Sequence, residues 1–248
     1  MITGTTRVCG IIADPVEHSM SPVMQNFYGE ATGRDLVYVP LKVAEDQVDA
    51  AVKGAYAMNF LGLNVTVPHK QRVIPCLKEI DKAAEAIGAV NTLVRIEGGF
   101  KGYNTDAAGL YRSMEEKGFQ IQGASAILLG AGGAAKAAAY VLMEHGAESV
   151  HIFNRNEDRA RELAAYMNRL AGREMFYPGG LSSWKELPDR PYLCIQSTSV
   201  GMYPHGGDVL IGDREFYKKI AMAMDVVYTP VETRFMKMVK EAGGQAFN

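Results

Sequence analysis

The sequence has few features that would cross-link a fold, attract nucleic acid or enter a membrane. Its three cysteines, Cys9, Cys76 and Cys194, are odd in number and lack the spacing of a zinc site. They predict free thiols in a reducing cytoplasm and no metal centre. The formal net charge is −2, so we expect neither a nucleic-acid nor a membrane partner. No apolar run reaches the roughly 20 residues of a spanning helix, and no signal segment is expected.

The composition is that of an ordinary globular protein. Of the 248 residues, 48% are hydrophobic and 22% are charged. This length can bury the cores of two modest domains. We find no internal repeat or low-complexity tract.

Strand and helix patterns alternate through the N-terminal part, which predicts a mostly parallel α/β sheet. Residues 69–87 read as helical turns interrupted at Pro75, and Gly98-Gly99 reads as a hairpin turn. The predicted strands are 7–13, 36–40, 61–67, 89–96 and 100–103, and the predicted helices are 22–32 and 44–58.

A connecting helix is predicted within residues 106–122, where 106–117 is helical. The domain that follows, 123–228, has its predicted strands at 126–129, 149–154, 174–177, 192–197 and 222–228. After Pro230, residues 232–242 read as a helix that stops at Gly243-Gly244. The sequence therefore predicts a two-domain α/β fold, with an N-terminal substrate domain at 1–105, a C-terminal Rossmann domain and a cleft between them.

The spacing G-x-G-x-x-A follows the apolar run 126–129 and opens an alanine-rich helix. Glycines at such a strand-to-helix turn let backbone N–H groups approach a pyrophosphate, and the helix N-terminus favours its negative charge. A flexible loop is the alternative, but the strand and helix on either side favour a dinucleotide site. The residues predicted to contact the cofactor here are Gly130, Ala131, Gly132, Gly133 and Ala134.

The end of the second strand of this domain predicts which cofactor is bound. An NAD site usually has Asp or Glu there, whereas this chain has Asn154 and Arg155, with Arg159 one helical turn later. A guanidinium suits a 2′-phosphate, so NADP is favoured. The alternative is that Arg155 only begins a solvated helix. Glu157 and Asp158 weaken the preference and leave NAD possible.

Eight blocks, in order along nearly the whole chain, resemble the shikimate dehydrogenase family. The first, Pro-Val-Glu-His-Ser-Met-Ser-Pro at 15–22 with Asn26 after it, is similar to the family's N-terminal signature. Residues 62–70, Gly-Leu-Asn-Val-Thr-Val-Pro-His-Lys, resemble its catalytic-lysine segment. The other blocks are 87–92, 102–106, 130–135, 154–155, 197–202 and 225–230.

The resemblance implies the reversible, NADPH-dependent reduction of 3-dehydroshikimate to shikimate in aromatic amino acid biosynthesis. It assigns Lys70 as the general acid/base, paired with Asp106 at the substrate hydroxyls. Taken alone, Lys70 would read as a surface charge and Asp106 as a helix N-cap. The remaining residues implied to contact substrate are Ser19, Ser21, Thr66, Asn91 and Tyr228, and Val226 is implied to touch the nicotinamide.

The substrate carboxylate has no Arg or Lys to meet in the first block. Ser19 and Ser21 could both donate to it, near a helix start that favours negative charge; a plain serine cap is the alternative. Ser21, rather than Thr, favours shikimate over quinate. A quinate/shikimate dehydrogenase that prefers NAD, or a non-catalytic NADP-binding sensor, are the competing hypotheses.

The C-terminal part departs from the family pattern. The family continues with a glycine, a Met-Leu pair and a glutamine on a helix that returns to the first domain, whereas this sequence stops at Asn248. We expect 229–248 to form a C-terminal helix returning toward the first domain, and to be incomplete. Asn156 stands where the family commonly has Thr or Ser. The partner is a small molecule, and a monomer or a homodimer is expected.

Overall fold

In the computed structural model, which describes residues 2–248, the chain divides between Thr105 and Asp106 into two compact units. Each unit is built on its own six-stranded sheet. Within the described part of the chain, no helix combines the length and the apolar character needed to cross a membrane.

The first unit contains a mixed sheet in the order β2-β1-β3-β5-β6-β4. Strand β1 pairs in parallel with β2 and β3, while β5 runs antiparallel to β3 and β6. The strands are β1 (Arg7–Ala13), β2 (Leu36–Lys42), β3 (Gly62–Val65), β4 (Glu79–Ile80), β5 (Thr92–Ile96) and β6 (Gly99–Tyr103). The helices are α1 (Ser21–Ala31), α2 (Val48–Ala57) and α3 (Lys82–Ile87), with 3₁₀ turns at Glu45–Gln47 and Ile74–Cys76.

The register of the central strands brings two chemically important loops to one edge. Ile12 of β1 lies opposite Val65 of β3. The backbone N–H of Thr66 donates to the Ile12 carbonyl at 3.2 Å, which continues the pairing past the end of β3. Because parallel strands end at the same edge, the loops that follow β1 and β3 emerge side by side. The core beneath them is apolar and includes Ile12, Val52, Leu63, Val65 and Phe100.

The second unit contains an all-parallel sheet in the order β12-β11-β10-β7-β8-β9. Its strands are β7 (Ser125–Leu129), β8 (Ser149–Phe153), β9 (Phe176–Gly179), β10 (Tyr192–Gln196), β11 (Ile220–Asp225) and β12 (Gln245–Phe247). Its helices are α5 (Gly133–Glu144), α6 (Glu157–Ala171), α7 (Arg214–Lys218) and α8 (Arg234–Glu241), and α4 (Thr105–Glu116) begins at the division between the units. The strand order reverses between β7 and β10, which is where such sheets open a crevice for ligands.

Two segments differ from the sequence-based prediction. Residues 69–87, predicted as helical turns, contain β4, which pairs with β6 through Glu79 opposite Lys101. The predicted C-terminal helix is shorter than expected, because α8 ends at Glu241 and the chain continues into β12. Phe235, Met236 and Val239 of α8 are buried in the core of the second unit, so this helix packs on its own sheet.

Candidate active site

Lys70 lies in the loop that follows β3, and backbone hydrogen bonds hold this loop in place. The carbonyl of Lys70 accepts from the Val90 N–H at 2.8 Å, and the Val65 N–H donates to the Asn91 carbonyl at 2.9 Å. The side chain of Lys70 is half-buried. Sequence-predicted residues Thr66, Lys70 and Asn91 are therefore brought together within one unit.

His69 anchors this loop from below. Its side chain is fully buried, and Nε2 lies 2.8 Å from the Val43 carbonyl. Because a carbonyl can only accept, Nε2 carries the proton, and Nδ1 has no hydrogen-bond partner among the described residues. The sequence analysis gave His69 no role. Its position beside Lys70 shows that it fixes the backbone from which the lysine extends.

Asn91 is the hub of a polar chain in the first unit. Its Nδ2 donates to Thr105 Oγ1 at 3.0 Å, and its Oδ1 accepts from the Thr105 N–H at 2.9 Å. Thr92 Oγ1 donates to the same Oδ1 at 3.0 Å. These bonds fix Thr105, the residue that immediately precedes Asp106. Asp106 lies in the first turn of α4, which begins at Thr105, and is not its N-cap.

The polar chain extends to two residues that the sequence analysis missed. Asn64 Nδ2 donates to Thr92 Oγ1 at 3.2 Å, and Tyr38 donates its phenolic hydrogen to Asn64 Oδ1 at 2.7 Å. Tyr38 is buried, and burial raises its pKa well above the ordinary value for tyrosine. The phenol is therefore a fixed hydrogen donor at neutral pH. Asn64 lay within a recognised block, and that was the one available signal.

Ser19 and Ser21 lie at the start of α1, in the loop that follows β1. Ser19 Oγ accepts from the Ser21 N–H at 3.3 Å, and Ser21 is the first residue of the helix. Neither hydroxyl caps α1, whose N-cap position is Met20 with no side-chain capping bond. Both serines are half-buried at the edge where the Lys70 loop also emerges.

In the second unit, the glycine turn adopts the expected strand-to-helix geometry. Gly130 has a φ of +112°, a region that strongly favours glycine, and a Cβ there would lie 2.8 Å from both Ser197 Oγ and Thr198 Cγ2. By contrast, a Cβ at Gly132 or Gly133 would meet nothing within 4 Å. The open space before the N-terminus of α5 is thus a cradle of the kind a pyrophosphate fits.

The start of α6 places basic side chains at the end of β8. Asn156 caps α6 by accepting from the Arg159 N–H at 3.3 Å, and Asn154 Nδ2 donates to the Asn156 carbonyl at 2.8 Å. Arg155 and Arg159 are exposed beside this cap. The carboxylates of Glu157 and Asp158 instead accept hydrogen bonds from the Arg161 guanidinium, each at 2.8 Å.

A cavity of about 480 Å³ opens at the carboxyl ends of β10 and β11. Val226 and Tyr228, both predicted site residues, line it from the loop after β11. The Tyr228 side chain is 80% exposed, so its hydroxyl is open to a ligand. The lining residues are Ser197, Thr198, Ser199, Met202, Tyr203, Val226, Val227, Tyr228 and Thr229.

Two buried polar residues support this cavity, and the sequence analysis assigned a role to neither. Gln196 ends β10 and Asp225 ends β11, with side chains 2% and 1% exposed. Burial raises the pKa of Asp225 to about 6, although hydrogen bonds from Thr233 and the Val227 N–H act in the opposite direction. Over residues 2–248, no cluster of three or more His, Cys, Asp or Glu side chains could hold a metal ion.

Comparison with known proteins matches both units to one family. Residues 11–93 match the shikimate dehydrogenase substrate binding domain, and residues 113–175 match the family described as shikimate / quinate 5-dehydrogenase. The curated NADP(+) shikimate dehydrogenase of Carboxydothermus hydrogenoformans is 39% identical, over 100% of this chain and 87% of that protein.

Solved structures agree with the sequence matches. A shikimate dehydrogenase in complex with NADP+ superposes with a TM-score of 0.89 at 34% identity, covering 100% of this chain and 86% of that one. The shikimate 5-dehydrogenase from Listeria monocytogenes in complex with shikimate and NAD gives a TM-score of 0.91 at 32% identity, covering 100% of this chain and 87% of that one. On these matches and the geometry above, the chain belongs to the shikimate dehydrogenase family.

Proposed function

We propose that this protein catalyses the reversible, NADP-dependent interconversion of 3-dehydroshikimate and shikimate, with Lys70 as general acid/base and Asp106 as its partner. The observation that carries the residue assignment is the polar scaffold of the first unit. The Lys70 carbonyl is bonded beside Asn91, and the Asn91 amide fixes the residue before Asp106. Reduction takes up one proton at the substrate oxygen, and oxidation releases it there.

The proton moves between Lys70 and the reacting oxygen. During reduction, the ammonium of Lys70 gives a proton to the ketone oxygen as the carbonyl becomes an alcohol. During oxidation, the neutral amine removes the hydroxyl proton. The Asp106 carboxylate orients the ammonium and accepts a hydrogen bond from a ring hydroxyl. Thr66 and Asn91 complete the contacts with the ring hydroxyls.

The substrate carboxylate binds to Ser19 and Ser21 in this proposal. Their hydroxyls are half-buried at the start of α1, where the positive end of the helix dipole favours a negative charge. The phenol of Tyr228 donates to the same ligand. Two neutral hydroxyl donors, in place of one guanidinium, bind the carboxylate without adding a second positive charge to the site of Lys70.

The residues of the second unit fit NADP(H). When bound, the cofactor supplies or accepts the hydride. Its pyrophosphate would be held at the cradle of Gly132 and Gly133, where no side chain lies within 4 Å of the positions a Cβ would take. Arg155 and Arg159 would bind the 2′-phosphate together with Asn154, and Val226 would border the nicotinamide. The other contacts of the glycine turn are Gly130, Ala131 and Ala134.

The activity test pairs two substrates with two cofactors. Initial rates of cofactor reduction are measured with shikimate or quinate, each in combination with NADP+ or NAD+. We expect the highest kcat/KM for shikimate with NADP+. Faster turnover of quinate with NAD+ would replace the proposal with the competing quinate/shikimate dehydrogenase.

Lys70→Ala tests the acid/base assignment and excludes a sensor. We expect kcat to fall by about a thousandfold, within the range of a lost general acid/base, while calorimetry still detects shikimate binding. Lys82→Ala, an exposed lysine that opens α3 in the same unit, is the control and should retain wild-type kcat. Wild-type turnover in Lys70→Ala would refute the assignment, and no turnover by the wild type would favour a sensor.

We further propose that the protein acts in the cytoplasm, as a monomer or a homodimer. Its three cysteines are all free, which suits a reducing compartment. Light scattering across a concentration series would distinguish the two states.

A further inference from the structure

Among residues 2–248, the buried carboxylate of Asp225 is held only by neutral donors. It ends β11 and accepts from the Val227 N–H at 2.9 Å, from Thr233 Oγ1 at 2.7 Å and from Gln196 Nε2 at 3.3 Å. Thr233 is in turn the N-cap of α8, accepting from the Met236 N–H at 3.2 Å. The carboxylate therefore joins the end of one strand to the loop after it and to the helix that follows.

Gln196, at the end of β10, holds the loop that follows that strand. Its Oε1 accepts from the Thr198 N–H at 2.7 Å and from Thr198 Oγ1 at 2.8 Å. Its Nε2 donates to the Val200 carbonyl at 3.0 Å, and also faces Asp225. These bonds wrap residues 197–200 around one side chain. In addition, the Val226 N–H donates to the Gln196 carbonyl at 3.0 Å, which ties the two loops together.

The loops that these two side chains fix are the walls of the 480 Å³ cavity. Thr198 lines it on one side and Val226, Val227 and Tyr228 on the other. We propose that Asp225 and Gln196 are positioning residues, which set the spacing of the two walls and thereby the orientation of the nicotinamide and of the Tyr228 phenol. This inference rests on the proposed function, because it takes the cavity to be the nicotinamide pocket.

Because Asp225 is a carboxylate and not a neutral amide, the hydrogen bonds that it accepts depend on pH. Asp225 needs to be ionised to accept from all three donors at once, and burial raises its pKa to about 6. As the pH falls through that value, protonation turns one oxygen into a donor and changes the hydrogen bonds that hold the two walls. Because burial raises this pKa, the folded state binds the proton more tightly than the unfolded chain does, so the change alters the spacing of the walls and does not lower the free energy of unfolding.

Other titratable groups near Asp225 do not offer an alternative source of this pH dependence. Cys194 of β10 faces it, and burial raises the pKa of that thiol far above neutrality. On α8, Arg234 donates to the Gly207 carbonyl, and Glu232, which precedes the helix, pairs with Lys240. All three of these charged side chains are exposed.

The test compares Asp225→Ala, Asp225→Asn and Gln196→Met with Asn168→Ala. Asn168 makes three bonds to the start of β9, at 2.8–2.9 Å, and does not line the cavity. We expect Asp225→Ala and Gln196→Met to lower kcat at least tenfold. Asn168→Ala should lower the Tm about as much as those two substitutions do, but leave kcat unchanged. Asp225→Asn, like the protonated acid, keeps two acceptor sites on Oδ1 and donates from the second atom, so its kcat should match the lowered kcat that the wild type shows below pH 6.

The pH profile separates positioning from mere stabilisation. With both substrates saturating, wild-type kcat should decline below about pH 6, and the Asp225→Asn profile should lack that inflection. An Asp225→Ala enzyme that loses Tm but keeps the wild-type kcat would overturn the proposal. If Asp225→Ala does not fold, Gln196→Met carries the same comparison.

Failure of this inference is distinguishable from failure of the proposed function. A wild type that does not oxidise shikimate would refute the proposed function alone. The positioning role is then read from NADP+ binding by calorimetry at pH 8, which needs no substrate. There, Gln196→Met should bind several-fold more weakly than Asn168→Ala, and equal dissociation constants would refute it.

Discussion

At the scale of single residues, the glycines of the 130–135 turn do different physical work. Gly130 is required by the backbone, since its φ is +112° and a Cβ would collide with Ser197 and Thr198. Gly132 has ordinary backbone angles, φ −93° and ψ −164°, and open space around it. Its lack of a side chain therefore serves a ligand and not the fold.

This difference predicts opposite effects of two alanine substitutions. Gly130→Ala should lower the free energy of unfolding by about 1–3 kcal/mol from backbone strain, with the collision adding to that. Gly132→Ala should leave the fold nearly as stable but weaken NADP+ binding about tenfold or more, a loss of roughly 1.4 kcal/mol. Urea denaturation and calorimetry measure the two quantities. Wild-type NADP+ affinity in a folded Gly132→Ala protein would contradict the cradle assignment.

Sequence patterns identify residues whose identity is constrained locally, and miss those defined by tertiary burial. The glycine turn could be predicted because its spacing is fixed by a strand and a helix that adjoin it. Asp225 and Gln196 could not be given a role, since their importance arises from the pairing of β10 with β11, which sets Gln196 opposite Asp225. Two signals were available: each residue is a polar residue that ends an apolar strand, and Asp225 begins the block 225–230.

At the scale of elements, the first turn of α6 combines charges of both signs. Glu157 and Asp158 would repel a 2′-phosphate, but both carboxylates are bonded to Arg161 at 2.8 Å. A side chain on Gly180 would collide with the Glu157 carboxylate, so the absence of one leaves room for this arrangement. Arg161 thereby offsets two negative charges beside Arg155 and Arg159.

Arg161→Gln should consequently weaken NADP+ binding more than NAD+ binding. The pairs are exposed and screened by salt, so the expected loss is modest, roughly two- to fivefold in the dissociation constant of NADP+ at low ionic strength. NAD+ lacks the 2′-phosphate and should bind with unchanged affinity. Calorimetry with each cofactor measures the ratio.

A matched control removes the same charge from the other end of α6. Arg169→Gln alters the last turn, and we expect no change in either dissociation constant. Adding Glu157→Gln and Asp158→Asn to Arg161→Gln should restore NADP+ affinity. Equal losses for NADP+ and NAD+ would show that Arg161 acts on the helix and not on the phosphate.

Among the strands, those that the sequence failed to predict are the shortest. β4 has two residues and β12 has three, too few to display an alternating pattern. Both exist because a distant strand offers unpaired backbone groups, β6 in one case and β11 in the other. The longer strands were predicted to within a few residues, since their apolar runs are legible without partners.

At the scale of the whole molecule, each unit has its own sheet and its own apolar core. The core of the first unit includes Leu63 and Phe100, and that of the second includes Phe216 and Phe235. Five predicted substrate residues lie in the first unit, namely Ser19, Ser21, Thr66, Lys70 and Asn91. Asp106, Tyr228 and the predicted cofactor residues lie in the second. The two ligands should therefore stabilise different parts of the chain.

Hydrogen exchange measured by mass spectrometry can show which segments each ligand protects. NADP+ alone should slow exchange in the turn 130–135 and the start of α6, because a ligand that binds the folded state suppresses local opening where it binds. Shikimate alone should protect residues 62–70 and the start of α1. Protection of 62–70 by NADP+ to the same extent as by shikimate would contradict the assignment of residues 62–70 to the substrate. Because each ligand is applied singly, the comparison needs no catalysis, and Lys70→Ala can serve as a version of the protein in which turnover is absent.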